Sequence, residues 1–253
     1  MGLFSKKPVT IDVASTVEKA RILNKNSDFI VQETYKTLRT NIMFALPVTD
    51  DNKGKVIVFS SGIPGEGKTT VCINTAITFA QTGAKVLVID ADLRIPKFHK
   101  YFGINGKTGF SDVLGGFCKT EQAIVSIPDY NMDCIPAGQI PPNPAELLAS
   151  QKTVSVLNEL KEKYDYILID TPPITVVTDA LAISPASSGM VIVTMERKTT
   201  RSVLRETLKA LEFANVKVLG LINNGAFSND TTYGKPFRKY KYSRSYRYNY
   251  KKL

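Results

Sequence analysis

Three short stretches carry the residue types that could do chemistry on a phosphate. The first, "SSGIPGEGKTT" at 60–70, contains Gly62-x4-Gly67-Lys68-Thr69, the spacing of a phosphate-binding loop. Gly62, Gly65 and Gly67 are expected to supply backbone angles that turn amide N–H groups inward, with Pro64, Glu66 and Thr70 completing the loop. Lys68 can neutralise β and γ phosphates, the Thr69 hydroxyl can reach magnesium, and a helix starting here would add its positive end. The second stretch, "VLVIDADLRIPKFHK" at 86–100, sets Asp90 and Asp92 two residues apart. Either aspartate could merely cap a turn. Beside a triphosphate site, though, two carboxylates call for a cation, and hydrated magnesium meets that need. The third, "YDYILIDTPP" at 164–173, delivers Asp170 behind an apolar triplet and halts at Pro172 and Pro173. Such an aspartate is the expected outer partner of magnesium, reached through water or through Thr69. His99, the single histidine, has no histidine or cysteine cluster beside it, so a structural role is expected.

Each stretch needs an element to hold it. Apolar runs at 55–61, 85–90, 132–137, 164–170, 189–195 and 216–224 read as strands buried on both faces, and helical patterns at 68–82, 144–163 and 200–214 separate most of them. Strands joined by helical crossovers predict a doubly wound α/β fold with a mainly parallel sheet, whose ligands sit beyond the carboxyl ends of the strands. From Ser27 to Leu46, Ile30, Tyr35, Leu38, Ile42 and Phe44 fall near one helical face, and Glu33, Lys36 and Arg39 form a charged stripe that spacing alone reads as a solvated face. Residues 1–27 show no sustained period and read as an extended, weakly ordered arm. The expected organisation is this arm, one domain at 28–228, and a flexible tail at 229–253.

A chain of 253 residues, 43% hydrophobic, can bury a full core. The net charge of +10 invites a polyanion reading, but residues 231–253 hold eight of the 33 basic residues and no acid. The remainder is close to neutral, so no nucleic-acid partner is expected. Cys72, Cys118 and Cys134, odd in number and without a CxxC pair, read as reduced core thiols. No apolar run approaches the roughly 18 residues needed to span a bilayer, and the opening lacks a signal-peptide core, which predicts a cytoplasmic location.

Together the three stretches resemble the Walker A, Walker A′ and Walker B motifs of bacterial tyrosine kinases, in the branch serving capsule and exopolysaccharide synthesis in Gram-positive bacteria. "ETYKTLRTNIMF" resembles that family's Glu-x-x-Arg-x-x-Arg helix, with Lys36 where arginine is usual, and "PPNPAELLAS" its mid-chain segment. The resemblance implies a P-loop fold of the MinD/ParA-like type and ATP-dependent phosphorylation of tyrosine. Under it Lys68 holds phosphates, Thr69, Asp92 and Asp170 organise Mg2+, and Asp90 accepts the tyrosine proton. It also implies that Glu33, Lys36 and Arg39 pack subunits into a ring. Its expected partners are a membrane-anchored activator, other copies of the chain, a cognate tyrosine phosphatase, and polysaccharide-synthesis proteins as substrates, with peripheral membrane association through the activator.

The tail then reads as substrate. Tyr233, Tyr240, Tyr242, Tyr246, Tyr248 and Tyr250, six of 11 tyrosines, lie in the last 21 residues. Each phosphate adds roughly −1.5 to −2, enough to turn this basic tail net negative when all six are modified. Two rivals share these motifs: a partitioning or cell-division-site ATPase switch, and an ATP-binding scaffold whose tail binds polyanions. The switch proteins usually carry a second lysine early in the loop, where this chain has Ile63.

Overall fold

The computed structural model describes residues 13–47 and 53–226. Among them, seven strands form one sheet in the order β3-β4-β2-β5-β1-β6-β7. The strands are β1 (Lys55–Ser61), β2 (Val86–Asp90), β3 (Val125–Ile127), β4 (Met132–Ile135), β5 (Tyr166–Asp170), β6 (Gly189–Met195) and β7 (Val218–Asn224). All neighbours run parallel except β3, which pairs antiparallel with β4 at one edge. The short β3 was not anticipated, because three residues carry too little periodicity.

Alternation along the strands divides the core. Val56, Val58, Leu87, Ile89, Ile167 and Ile169 face one layer of helices; Ile57, Phe59, Val86, Val88 and Leu168 face the other. Two-sided burial fails at the two edge strands: Ser126 of β3 is exposed, and every residue of β7 is exposed or half-buried.

The helices are α1 (Val13–Ala20), α2 (Phe29–Ala45), α3 (Lys68–Ala80), α4 (Phe98–Phe102), α5 (Phe110–Leu114), α6 (Thr120–Ala123), α7 (Pro144–Leu148), α8 (Gln151–Lys161), α9 (Asp179–Ile183) and α10 (Arg201–Phe213). The single helix expected over 144–163 is two, because Ser150 stops α7 and caps α8, its hydroxyl accepting from the Thr153 N–H. Asp28 caps α2 by accepting from the Ile30 N–H at 2.7 Å.

The weakly ordered arm is a correction from residue 13 onward. Residues 13–20 are helical, and Ile22 and Leu23 are buried against α3 and the sheet. Asn74 of α3 secures this segment, accepting from the Leu23 N–H at 2.9 Å and donating to the Arg21 carbonyl at 3.1 Å. On α2, Ile42 is buried and Tyr35 and Leu38 pack on the core, but Ile30 and Phe44 point outward, 69% and 86% exposed.

Candidate active site

Strands β2, β5 and β1 are consecutive in the sheet, so their carboxyl ends bring the three motif stretches together. The loop after β1 enters α3 through Gly65 and Gly67, both at positive φ (74° and 85°), where a side chain would be strained. Gly62 serves differently from the expectation. Its φ is ordinary, but a Cβ there would lie 2.8 Å from Thr207 Oγ1 and from Val203 Cγ1, so it lets α10 approach.

Lys68, the first residue of α3, is buried and bridges two carboxylates. Its Nζ lies 3.3 Å from Asp92 Oδ2 and 3.3 Å from Asp170 Oδ1. Thr69 Oγ1 donates to Asp170 Oδ2 at 2.7 Å. The loop lysine and threonine therefore meet the two carboxylates in one buried cluster.

Asp90 is held by backbone. Its Oδ2 accepts from the N–H groups of Lys97 (2.9 Å) and Phe98 (3.0 Å), and its Oδ1 from that of Asp92 (3.2 Å). Burial, then the nearby Asp170 charge, pushes the Asp90 carboxyl up to about 7 despite those donors. Burial alone would lower the Lys68 ammonium, but Asp170, Asp92 and Asp90 outweigh it and the net shift is upward. Three carboxylates confront one ammonium here, an arrangement that invites a further cation.

The donor set suits magnesium. Thr69, Asp92 and Asp170 offer only hard oxygens, and magnesium is ordinarily held by one or two carboxylates while phosphates and water complete its shell. Among the described residues no cluster of three or more His, Cys, Asp or Glu forms a self-sufficient metal cage.

The rest of the loop is gripped by its neighbours. Glu66 is buried and spends its carboxylate on protein, accepting from the Ile63 N–H at 3.0 Å and from the Thr199 hydroxyl. Asn224, at the end of β7, donates to the Glu66 carbonyl at 3.0 Å, and Lys198 Nζ donates to the Gly65 carbonyl at 3.0 Å. Thr175 Oγ1 donates to the Gly62 carbonyl, and Thr70 Oγ1 hydrogen-bonds Tyr101 Oη at 2.7 Å. These neighbours were not read from sequence; the usable signal for Asn224 was its position at a strand end, as for the aspartates.

The remaining calls lie apart from this cluster. Glu33 and Lys36 pair with each other on α2 at 2.8 Å, while Arg39 donates to the Thr78 carbonyl of α3 at 2.8 Å. His99 is exposed on α4, its carbonyl accepting from the Gly103 N–H. Cys72, Cys118 and Cys134 are free thiols. No described helix is long and apolar enough to cross a membrane. The six terminal tyrosines lie outside the described residues.

Known proteins share this fold and much of this sequence. A family model described as an AAA domain matches residues 54–217. The tyrosine-protein kinase YwqD of Bacillus subtilis is 40% identical over 203 residues, covering 80% of this chain and 84% of that protein. The putative tyrosine-protein kinase EpsB of Ralstonia nicotianae is 36% identical, but the match spans 80% of this chain and only 26% of that longer protein. Among solved structures, the chimerical protein CapA2B2 superposes with a TM-score of 0.72 at 31% identity, over 79% of this chain and 87% of that one. The septum site-determining protein MinD of Pyrococcus horikoshii, complexed with Mg-ADP, reaches 0.56 at 30% identity over 66% and 69%. The fold is thus that of the P-loop nucleotide-binding proteins, and the overlap is greater with the CapA2B2 chimera than with the septum site-determining protein. The identity and coverage shared with YwqD place this chain in the family of bacterial tyrosine-protein kinases.

Proposed function

We propose that the chain transfers the γ-phosphoryl group of ATP to tyrosines of its own carboxyl-terminal cluster, and through that cycle regulates capsule or exopolysaccharide synthesis. The observation that carries this reading is the buried cluster in which Lys68 bridges Asp92 and Asp170 while Thr69 hydrogen-bonds Asp170. Lys68 would leave its carboxylates for the β and γ phosphates, and amides of Gly62, Pro64-Gly65-Glu66-Gly67 and Thr70 would line the phosphate path, Pro64 contributing shape rather than a donor. Magnesium, held by Thr69, Asp92 and Asp170, would neutralise the charge of the transferring group. In the transfer a tyrosine oxygen bonds to the γ-phosphorus, the bond to the β–γ bridging oxygen breaks, ADP departs, and Asp90 takes the phenolic proton. A carboxyl poised near neutral pH suits that duty.

Self-association is the companion reading, supported by the outward Ile30 and Phe44 on α2 beside Glu33 and Lys36. Tails would then reach a neighbour's site, and phosphorylation, by reversing the tail's charge, would loosen the assembly; native mass spectrometry of phosphorylated and phosphatase-treated protein tests this, and equal sizes would reject it. A membrane-anchored activator is the expected partner, a reading supported by the likeness to the CapA2B2 chimera. It would carry the kinase to the cytoplasmic membrane. A tyrosine phosphatase would reset the cycle, and polysaccharide-synthesis proteins would be further substrates.

The test is incubation with labelled ATP and magnesium followed by mapping of the modified residues. Label on Tyr233, Tyr240, Tyr242, Tyr246, Tyr248 or Tyr250, lost when all six are phenylalanine, is the expected result. Free phosphate without phosphotyrosine would overturn it.

A further inference from the structure

The segments that follow Asp92, just beyond β2, and Asp170, the last residue of β5, are joined by an ion pair outside the cluster already described. Arg94 Nε donates to Asp179 Oδ2 and Arg94 Nη2 to Asp179 Oδ1, both at 2.9 Å. This is the two-pronged geometry only arginine offers a carboxylate. The Asp179 side chain is completely buried, whereas that of Arg94 remains 39% exposed. Arg94 stands two residues beyond Asp92, and Asp179 opens α9, nine residues beyond Asp170. Asp92 is fixed from the same side, since its Oδ1 accepts from the Ile95 N–H at 3.1 Å. The pair thus spans the carboxyl ends of neighbouring strands β2 and β5, where Asp92 and Asp170 would otherwise be pushed apart by like charge once Lys68 leaves them for phosphate.

We propose that Arg94 and Asp179 are positioning residues for the magnesium-holding carboxylates: their bidentate pair sets the spacing of Asp92 and Asp170 so that the metal, rather than the nucleotide alone, is bound tightly. The proposal rests on the reading of Asp92 and Asp170 as the metal's carboxylates. Neither Arg94 nor Asp179 touches Lys68 or Thr69 in the described contacts, so phosphate binding by the loop is independent of them.

The experiment is calorimetric binding of ADP to the full chain, with magnesium and with EDTA, for wild type, Arg94→Lys and Asp179→Asn, alongside kcat and KM for ATP over a magnesium series. Arg94→Lys keeps the charge and loses the fork; Asp179→Asn keeps the shape and loses the charge. In both, the magnesium-dependent gain in ADP affinity and kcat should fall about 10- to 100-fold, the usual cost of losing a partner that orients a metal ligand. Affinity in EDTA should stay within about twofold, and extra magnesium should restore part of the lost kcat. A variant whose affinity falls equally with and without magnesium, or changes in neither, overturns the proposal. A variant that fails to fold is replaced by the other, and failure of both to fold would assign the pair to stability and overturn it as well. If wild type gains nothing from magnesium, the reading of the carboxylates fails instead.

Discussion

Asp90 and Asp170 are register partners on the adjacent parallel strands β2 and β5. Two buried acids at the same level of a sheet repel, and the arrangement persists because Lys68 stands beside Asp170 and backbone N–H groups receive Asp90. That relationship makes the site sensitive to charge.

Lys68→Met leaves Asp92 and Asp170 buried without their cation. The nucleotide-free protein should lose about 3–5 kcal/mol in urea unfolding, the scale of breaking a buried ion pair from one side. Tyrosine phosphorylation should fall about 100- to 1,000-fold or more, as when one preorganised partner of developing charge is removed. Full retention of both properties would contradict the cluster's role.

For Asp90 the folded carboxyl lies near 7, above its unfolded value, so the folded state holds the proton more tightly. Its contribution to stability is complete below about pH 4 and is lost as pH rises to about 7, at no more than about 1.4 kcal/mol per pH unit. Asp90→Asn should flatten the melting temperature of the EDTA-treated protein across this window. An unchanged slope would show that Asp90 does not titrate there.

Gly62→Ala places a methyl 2.8 Å from Val203 Cγ1 and Thr207 Oγ1. Overpacking of this size costs about 1–3 kcal/mol. Val203→Ala in the same chain should recover a measurable part of that loss. Additive losses in the double variant would mean that α10 does not press on the loop.

Leu23→Ala should cost about 2–5 kcal/mol, as for other fully buried leucines. Asn74→Ala should cost about 1–3 kcal/mol by stranding the Leu23 N–H and the Arg21 carbonyl. Thermal unfolding checks both; losses under 0.5 kcal/mol would restore the picture of a loosely attached arm.

Much of the cluster's composition was legible before folding because it depends on local spacing. Gly67-Lys68-Thr69 at the mouth of a helix, and aspartates closing the apolar runs 86–90 and 166–170, are determined by which residues are consecutive, and consecutive residues stay together in any fold. Likewise, β-branched runs between amphipathic segments were enough to announce a parallel sheet. Tertiary structure alone decided the strand order that sets β5 between β1 and β2, and with it the meeting of Thr69 with Asp170, 101 residues apart in the chain. It alone decided that Arg94 reaches Asp179, that Asn224 and Lys198 grip the loop, and that Ile22 and Leu23 are core, since each contact depends on the packing of distant segments whose local patterns are unremarkable.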